Sequence, residues 1–166
     1  MSFIAQKARS RYQFGWILAP IIAYILLIIG EITGLTLLGS LPLPPDWTLF
    51  FELANFLFIT LAIIAWAVFI EKCLLEGIGL AKKHAFRDFL LGWFFGGAFL
   101  TICVLLMVLF GGVQITGFHF SGINILQFIP LLLAWSIQGH AEEVLARGFL
   151  FSSVAVKNSI PVGIVV

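Results

Sequence analysis

Between Phe89 and Phe110 the sequence places no charged residue. A helix of about 20 apolar residues crosses a hydrocarbon core ~30 Å thick, so this run alone is long enough to span a membrane. Three further segments share its character. One extends from Trp16 to Leu38 with Glu31 near its far end, and one from Phe50 to Ile70 with Glu52 at its start. The last runs from Ile125 to Val156 and is interrupted by charge. A fifth apolar stretch opens at Ile160 and reaches Val166. Lipid offers no hydrogen-bond partners to the backbone, so each such run is expected to satisfy its own peptide groups as a helix. The expected fold is all-α: a polytopic membrane helix bundle of four transmembrane helices, over 16–38, 50–70, 89–110 and 125–156, with a truncated fifth.

Composition excludes the alternative of a water-soluble domain. Hydrophobic residues make up 61% of the chain and charged residues 10%, with a mean hydropathy of +1.14. A soluble fold of 166 residues cannot bury that much apolar surface. The basic start, with Lys7, Arg9 and Arg11, resembles the head of a signal peptide. However, the apolar run from Phe14 to Gly30 exceeds a signal core of roughly 7–15 residues, and no small-residue cleavage pattern follows it. It reads as a retained span. Cys73 and Cys103 form no C-x-x-C pair and read as small packing residues.

The nine Lys and Arg residues set an orientation. They are Lys7, Arg9, Arg11, Lys72, Lys82, Lys83, Arg87, Arg147 and Lys157. With four spans all of them fall on the N-terminal side, and the Pro-rich connection around Leu41–Trp47 and the Gly-rich one over 111–124 have none. By the excess of positive charge on cytoplasmic loops, the N-terminus is expected in the cytosol. The basic residues are thereby explained by topology. The lipid bilayer is the expected partner, and nucleic acid is not. Gly30-x-x-x-Gly34 and Gly92-x-x-x-Gly96, the latter followed by Gly97, lay small-residue stripes on the first and third helices where backbones can approach closely.

The chemistry-bearing stretch is Gly139-His140-Ala141-Glu142-Glu143-Val144-Leu145-Ala146-Arg147-Gly148. Each ionised residue at mid-bilayer costs about 2.5–3.5 kcal/mol. The three are therefore expected to face the bundle or a wet cavity. At α-helical spacing Ser136, His140, Glu143 and Arg147 share one stripe, and Glu143 with Arg147 forms an i,i+4 pair, acid first. Glu142 points about a quarter-turn away, near Gln138, with no cation on its own face. Desolvation there would tune it towards a general base. A polar clasp, or a solvated cytosolic helix end in which Arg147 snorkels outward, accounts for the same residues without catalysis.

Glu142-Glu143-x-x-x-Arg147-Gly148, late in an apolar helix, resembles the first motif of the CPBP intramembrane proteases, which include the CAAX prenyl endopeptidases and the bacterial Abi proteins. Gly77-Ile78-Gly79-Leu80 and Phe86-Arg87-Asp88-Phe89, leading into a Gly-rich span, are similar to that family's run-up. The resemblance implies that residues 1–166 are the N-terminal portion of such a domain, in a bacterial cell membrane, acting on a peptide or protein substrate. It implies Glu142 as the base activating water, with Glu143 and Arg147 positioning the site. The cofactor is left open: a divalent metal such as zinc and a metal-free glutamate–histidine mechanism are equally compatible. The family's later Phe-x-x-x-His and His-x-x-x-Asn/Asp/Ser motifs are not found in this sequence. His84, His119 and His140 sit in neither, so the chain by itself is expected to be inactive. His140-x-x-Glu143 has metal-ligand spacing but supplies two ligands only. A non-catalytic immunity or scaffold protein of the same fold is the alternative. A proton-relaying carrier fits less well, because the third span is uncharged.

Overall fold

The apolar runs are helical, and their ends fall where the local chemistry stops a helix. The structure, a computed structural model, describes residues 3–42, 47–80, 84–117 and 122–166. A short α1 (Phe3–Lys7) precedes α2 (Leu18–Leu38), which closes with the Gly39 N–H donating to the Leu35 carbonyl. The next span is α3 (Thr48–Ala54) and α4 (Phe56–Ala65), continued by a π-helical turn, Trp66–Ile70. After it Lys72 takes a left-handed conformation, φ 51°, a costly choice for a residue with a side chain. A 3-10 turn, Leu75–Ile78, follows and ends at Gly79, whose φ of 82° is open to glycine without that cost.

Among the described residues three helices are long and apolar enough to cross a membrane: Leu18–Leu38, Thr48–Ile70 and Ala85–Leu109. They lie within a few residues of three of the four expected spans. The fourth expected segment is a continuous helical run built of α6 (Gly122–Glu143), an eight-residue π-helix (Val144–Phe151) and α7 (Ser152–Lys157). It is not one of those three. Ser136, Gln138, His140, Glu142 and Glu143 dilute its apolar character, and Pro130 sits inside it. The stretch beyond it opens as α8, Ile160–Val165, with Pro161 in its first turn.

The chain divides into two units, Met1–Leu80 with Leu126–Val166, and Ala81–Ile125. In the first, α2 packs along α4. Gly30 makes this possible, because a Cβ there would lie 2.5 Å from the Ile59 α-carbon, and a Cβ at Gly34 would overlap the Asn55 side-chain oxygen. The expected small-residue stripe on the first helix is therefore a backbone-to-backbone seam, the kind of contact that holds helices together where lipid and side chain are equally apolar. Around it Ala23, Leu26, Ile59, Ile63, Ala67, Ile78, Val144 and Phe149 form one buried cluster. The cluster thus joins α2 and α4 to the 3-10 turn and the π-helix.

The second unit contains α5 (Ala85–Leu109), which has no buried residue. Its C-terminus is closed by Gly111, φ 75°, whose N–H reaches the Val108 carbonyl, while the Gly112 N–H reaches Met107 at 2.8 Å. That pair of bonds is a Schellman cap, which satisfies carbonyls that the helix leaves open. A Cβ at Gly92, Gly96 or Gly97 would meet no atom within 4 Å, so the second small-residue stripe makes no close backbone contact among the described residues.

Candidate functional site

The Glu-Glu-x-x-x-Arg stretch straddles the change from α6 to the π-helix. Glu142 and Glu143 end the α-helical part, and Arg147 lies in the π-helical part. The Arg147 Nε lies 3.2 Å from a Glu143 carboxylate oxygen, the expected i,i+4 ion pair. Both partners are largely exposed, Glu143 at 58% and Arg147 at 79%. At that exposure the pair contributes little, since water screens it and both long side chains lose freedom in holding one geometry.

Glu142 lies on a different face. The Gln138 side-chain amide donates to its carboxylate at 3.1 Å, again one helical turn away. No cation pairs with Glu142 among the described residues. His140, Glu143 and Arg147 come together, with Val144 and Gly148, along one wall of a groove of about 320 Å³, whose opposite wall is Ile78, Gly79 and Leu80. The structure therefore assembles the expected stripe and leaves Glu142 outside the groove's lining. The two acids are separated in space as the helical spacing requires. Of the two arrangements expected for the charged residues, the bundle or a wet cavity, the groove provides the second for Glu143 and Arg147; Glu142, Glu143, Arg147 and His140 are all exposed.

Gly148 explains how the groove's two walls meet. A Cβ at that position would overlap the carbonyl oxygen of Ile78 and lie 3.3 Å from its carbon. Only a residue without a side chain lets the π-helix backbone rest on the 75–78 turn. Phe149, fully buried next to it, fills the core behind that contact.

A divalent metal needs a convergent donor set, with three protein ligands in the usual catalytic zinc site. Among the described residues no three His, Cys, Asp or Glu side chains converge. His140 and Glu143 are the only such groups on the groove. The described residues do not fit a metal site, and no step is assigned to one below. His84 opens α5 in a left-handed conformation, φ 64°, and is exposed. His119 lies outside the described residues.

The most buried ionic contact is one that the sequence reading did not single out. Lys7 and Glu71 form an ion pair with side chains 1% and 0% exposed. The Lys7 ammonium also lies 5.0 Å from the centre of the Phe149 ring, a cation–π contact. Cys73 is buried beside this pair. Burial pushes its thiol pKa up, the Glu71 charge adds to that, and the Lys7 charge opposes it. In the sequence Lys7 counts with the basic residues that topology explains, and nothing local in Gln6-Lys7-Ala8 marks it as different. The partner at Glu71 becomes visible only when the chain is folded.

Compared as a whole chain, the protein matches no family model, no curated protein and no solved structure.

Proposed function

We propose that this protein is a membrane-embedded endopeptidase of the CPBP type, with four spans, its N-terminus in the cytosol of a bacterial cell and its site near the cytosolic leaflet. The observation that carries the reading is the division of labour between adjacent acids. Glu143 is engaged by Arg147 at 3.2 Å, whereas Glu142 is held by a neutral amide and retains carboxylate lone pairs for a water. Glu142, bonded among the described residues to the neutral Gln138 amide and to no cation, is the assigned proton acceptor. In the proposed step Glu142 takes a proton from water as the oxygen attacks a peptide carbonyl. Glu143 and Arg147 keep the helix face and the groove in register. Stabilising the developing oxyanion is a separate requirement, and losing one donor for it typically costs about 10²–10³ in rate. By the resemblance, those donors come from two histidine-bearing helices.

The gathering of basic segments supports the topology. The Arg11 N–H donates to the Glu71 carbonyl at 2.8 Å, and the Trp16 N–H to the Asn158 side chain at 3.1 Å. The start of the chain, the connection after the second span and the end of the fourth segment thus meet at one end, as an even number of crossings between each requires.

The test compares the 166-residue chain with a version extended through the two histidine motifs. Both are reconstituted in liposomes and assayed on the same peptide library. Cleavage by the extended form that disappears with Glu142→Ala supports the reading. Specific cleavage by the short form, or cleavage by the extended form that survives Glu142→Ala, overturns the assigned mechanism. Absence of cleavage by either form, together with retention of a bound protein partner, moves the choice to the immunity or scaffold alternative.

A further inference from the structure

We infer that residues 3–16 form a strap, latched by the buried Lys7–Glu71 pair, which holds the 71–80 segment against the π-helix and so shapes the groove lined by His140, Glu143 and Arg147. The inference concerns the groove's form and holds whatever the groove takes.

The strap is fastened along its length. Gln6 donates to Glu76 at 2.6 Å, and Lys7 pairs with Glu71. The Arg11 N–H donates to the Glu71 carbonyl at 2.8 Å, and the Trp16 N–H to Asn158 at 3.1 Å. Gly77 allows the close seat, since a Cβ there would lie 3.2 Å from the Lys7 backbone nitrogen and would overlap the Cys73 sulfur. The strap therefore touches the 71–77 segment through two side-chain bonds, one backbone bond and one glycine contact.

From there the connection to the groove is short. The same segment continues into Ile78, Gly79 and Leu80, which are one wall of the groove. Its opposite wall meets it through Gly148 and Ile78. The Lys7 ammonium also lies over the ring of Phe149, the buried residue that follows Gly148 in the π-helix and backs that wall. A single side chain thus contacts the two segments that carry the walls, the 71–80 segment by charge at Glu71 and the π-helix over the ring of Phe149.

A buried ion pair is weak evidence for stability, but breaking it by removing one partner is strongly destabilising. Removing one partner strands the other charge, whereas replacing both by apolar residues removes the problem. Among the described residues the second Glu71 oxygen has no hydrogen-bond partner, so Lys7 bears most of the compensation. The left-handed Lys72 next to it marks a backbone held in shape by its surroundings.

Backbone hydrogen exchange in the detergent-purified chain tests the strap directly. The Cys73, Gly77, Gly79 and Leu80 amides are bonded to Ala67, Leu74, Glu76 and Leu75 and report on the wall. In Glu71→Gln these amides should exchange more than about tenfold faster, while those of α2 and α4 stay within about threefold of the parent. The double variant Lys7→Met/Glu71→Leu should return the wall to within about threefold of the parent. Unchanged exchange at the wall in Glu71→Gln overturns the inference. So does an equal acceleration everywhere, or a double variant as fast as the single one. Should Glu71→Gln fail to accumulate, Gln6→Ala removes only the exposed bond to Glu76. It should speed the same amides to a smaller degree, and no change there would also overturn the strap.

Discussion

A Cβ on Gly148 would overlap the carbonyl oxygen of Ile78, so the two residues meet with no room for a side chain. The contact joins the residue directly after Arg147 to the turn that forms the facing wall of the groove. Gly148→Ala should therefore destabilise the protein by about 1–3 kcal/mol, the usual range for overpacking a tight contact. The obstacle is backbone, which cannot swing away. Gly139→Ala is the matched control, because a Cβ at 139 meets nothing within 4 Å and the residue lies inside α6. It should stabilise by about 0.5–1 kcal/mol through helix propensity. Thermal unfolding of both variants in one detergent checks the pair, and a neutral Gly148→Ala would remove the proposed close approach.

Neither acid of the motif should matter much to folding. The Glu143–Arg147 pair is exposed at 58% and 79%, so Glu143→Ala should cost less than about 1 kcal/mol. Arg147, with that exposure, is not stranded when its partner goes, contrary to what an inward-facing pair would suffer. Glu142→Ala loses only an exposed bond to Gln138. Activity differences between the variants then report chemistry. In the extended form, Glu142→Ala should lower cleavage by at least about 10², the lower end for loss of a general base. Glu143→Ala should lower it less. The reverse order would exchange the roles of the two residues.

Cys73 should behave as a shielded thiol. Its pKa is raised chiefly by burial, with Glu71 adding and Lys7 opposing. Alkylation in a Cys103→Ala background should be slower than that of a free thiol near neutral pH and should keep rising above the pH at which the free thiol levels off. The linkage has a definite sign. A folded-state pKa above the unfolded one gives a stabilising contribution that is fully present below the ordinary thiol value, and it is lost as pH rises through the raised value. Stability measured across that alkaline range should fall more steeply for the parent than for Cys73→Ala. Equal slopes would show that the thiol is not shielded in solution.

Single-cysteine labelling checks the orientation. Ser40 follows α2 and Gly117 follows α5, and both are exposed. In a background lacking Cys73 and Cys103, cysteines at 40 and 117 should react with an impermeant maleimide in intact cells. Labelling of both only after lysis would invert the proposed topology.

Helix positions were legible in the sequence because apolar length is a property of consecutive residues. Leu18–Leu38 and Thr48–Ile70 begin within two residues of where hydropathy alone puts them. The Gly30/Gly34 seam and the separation of Glu142 from Glu143 were legible too, since both follow from helical repeat. The burial of Lys7 was not. Its partner lies 64 residues away, and a lysine in a basic leader looks the same whether it meets water or a carboxylate. The π-helix was equally hidden. The spacing of Glu143 and Arg147 suits an ordinary helix, and nothing in the residues 144–151 marks a wider turn. The expectation that the charged residues face the bundle or a wet cavity came from the cost of charge in lipid, which is a rule about depth. It carries no information on which side of the helix is covered.

The wide turn at Val144–Phe151 also has a consequence for how changes in this helix combine. A π-helical stretch holds more residues per turn than the α-helix on either side. It therefore acts as a phase shift between two halves of one rod. Upstream, the acids look outward. Downstream, Ser152, Ser153 and Val154 are buried in succession. Deleting any one residue from 144–151 would let the rod relax towards a uniform pitch and would turn the downstream half about its own axis. The damage would then show at Ser152 and Ser153, while Glu142 and Glu143 kept their places.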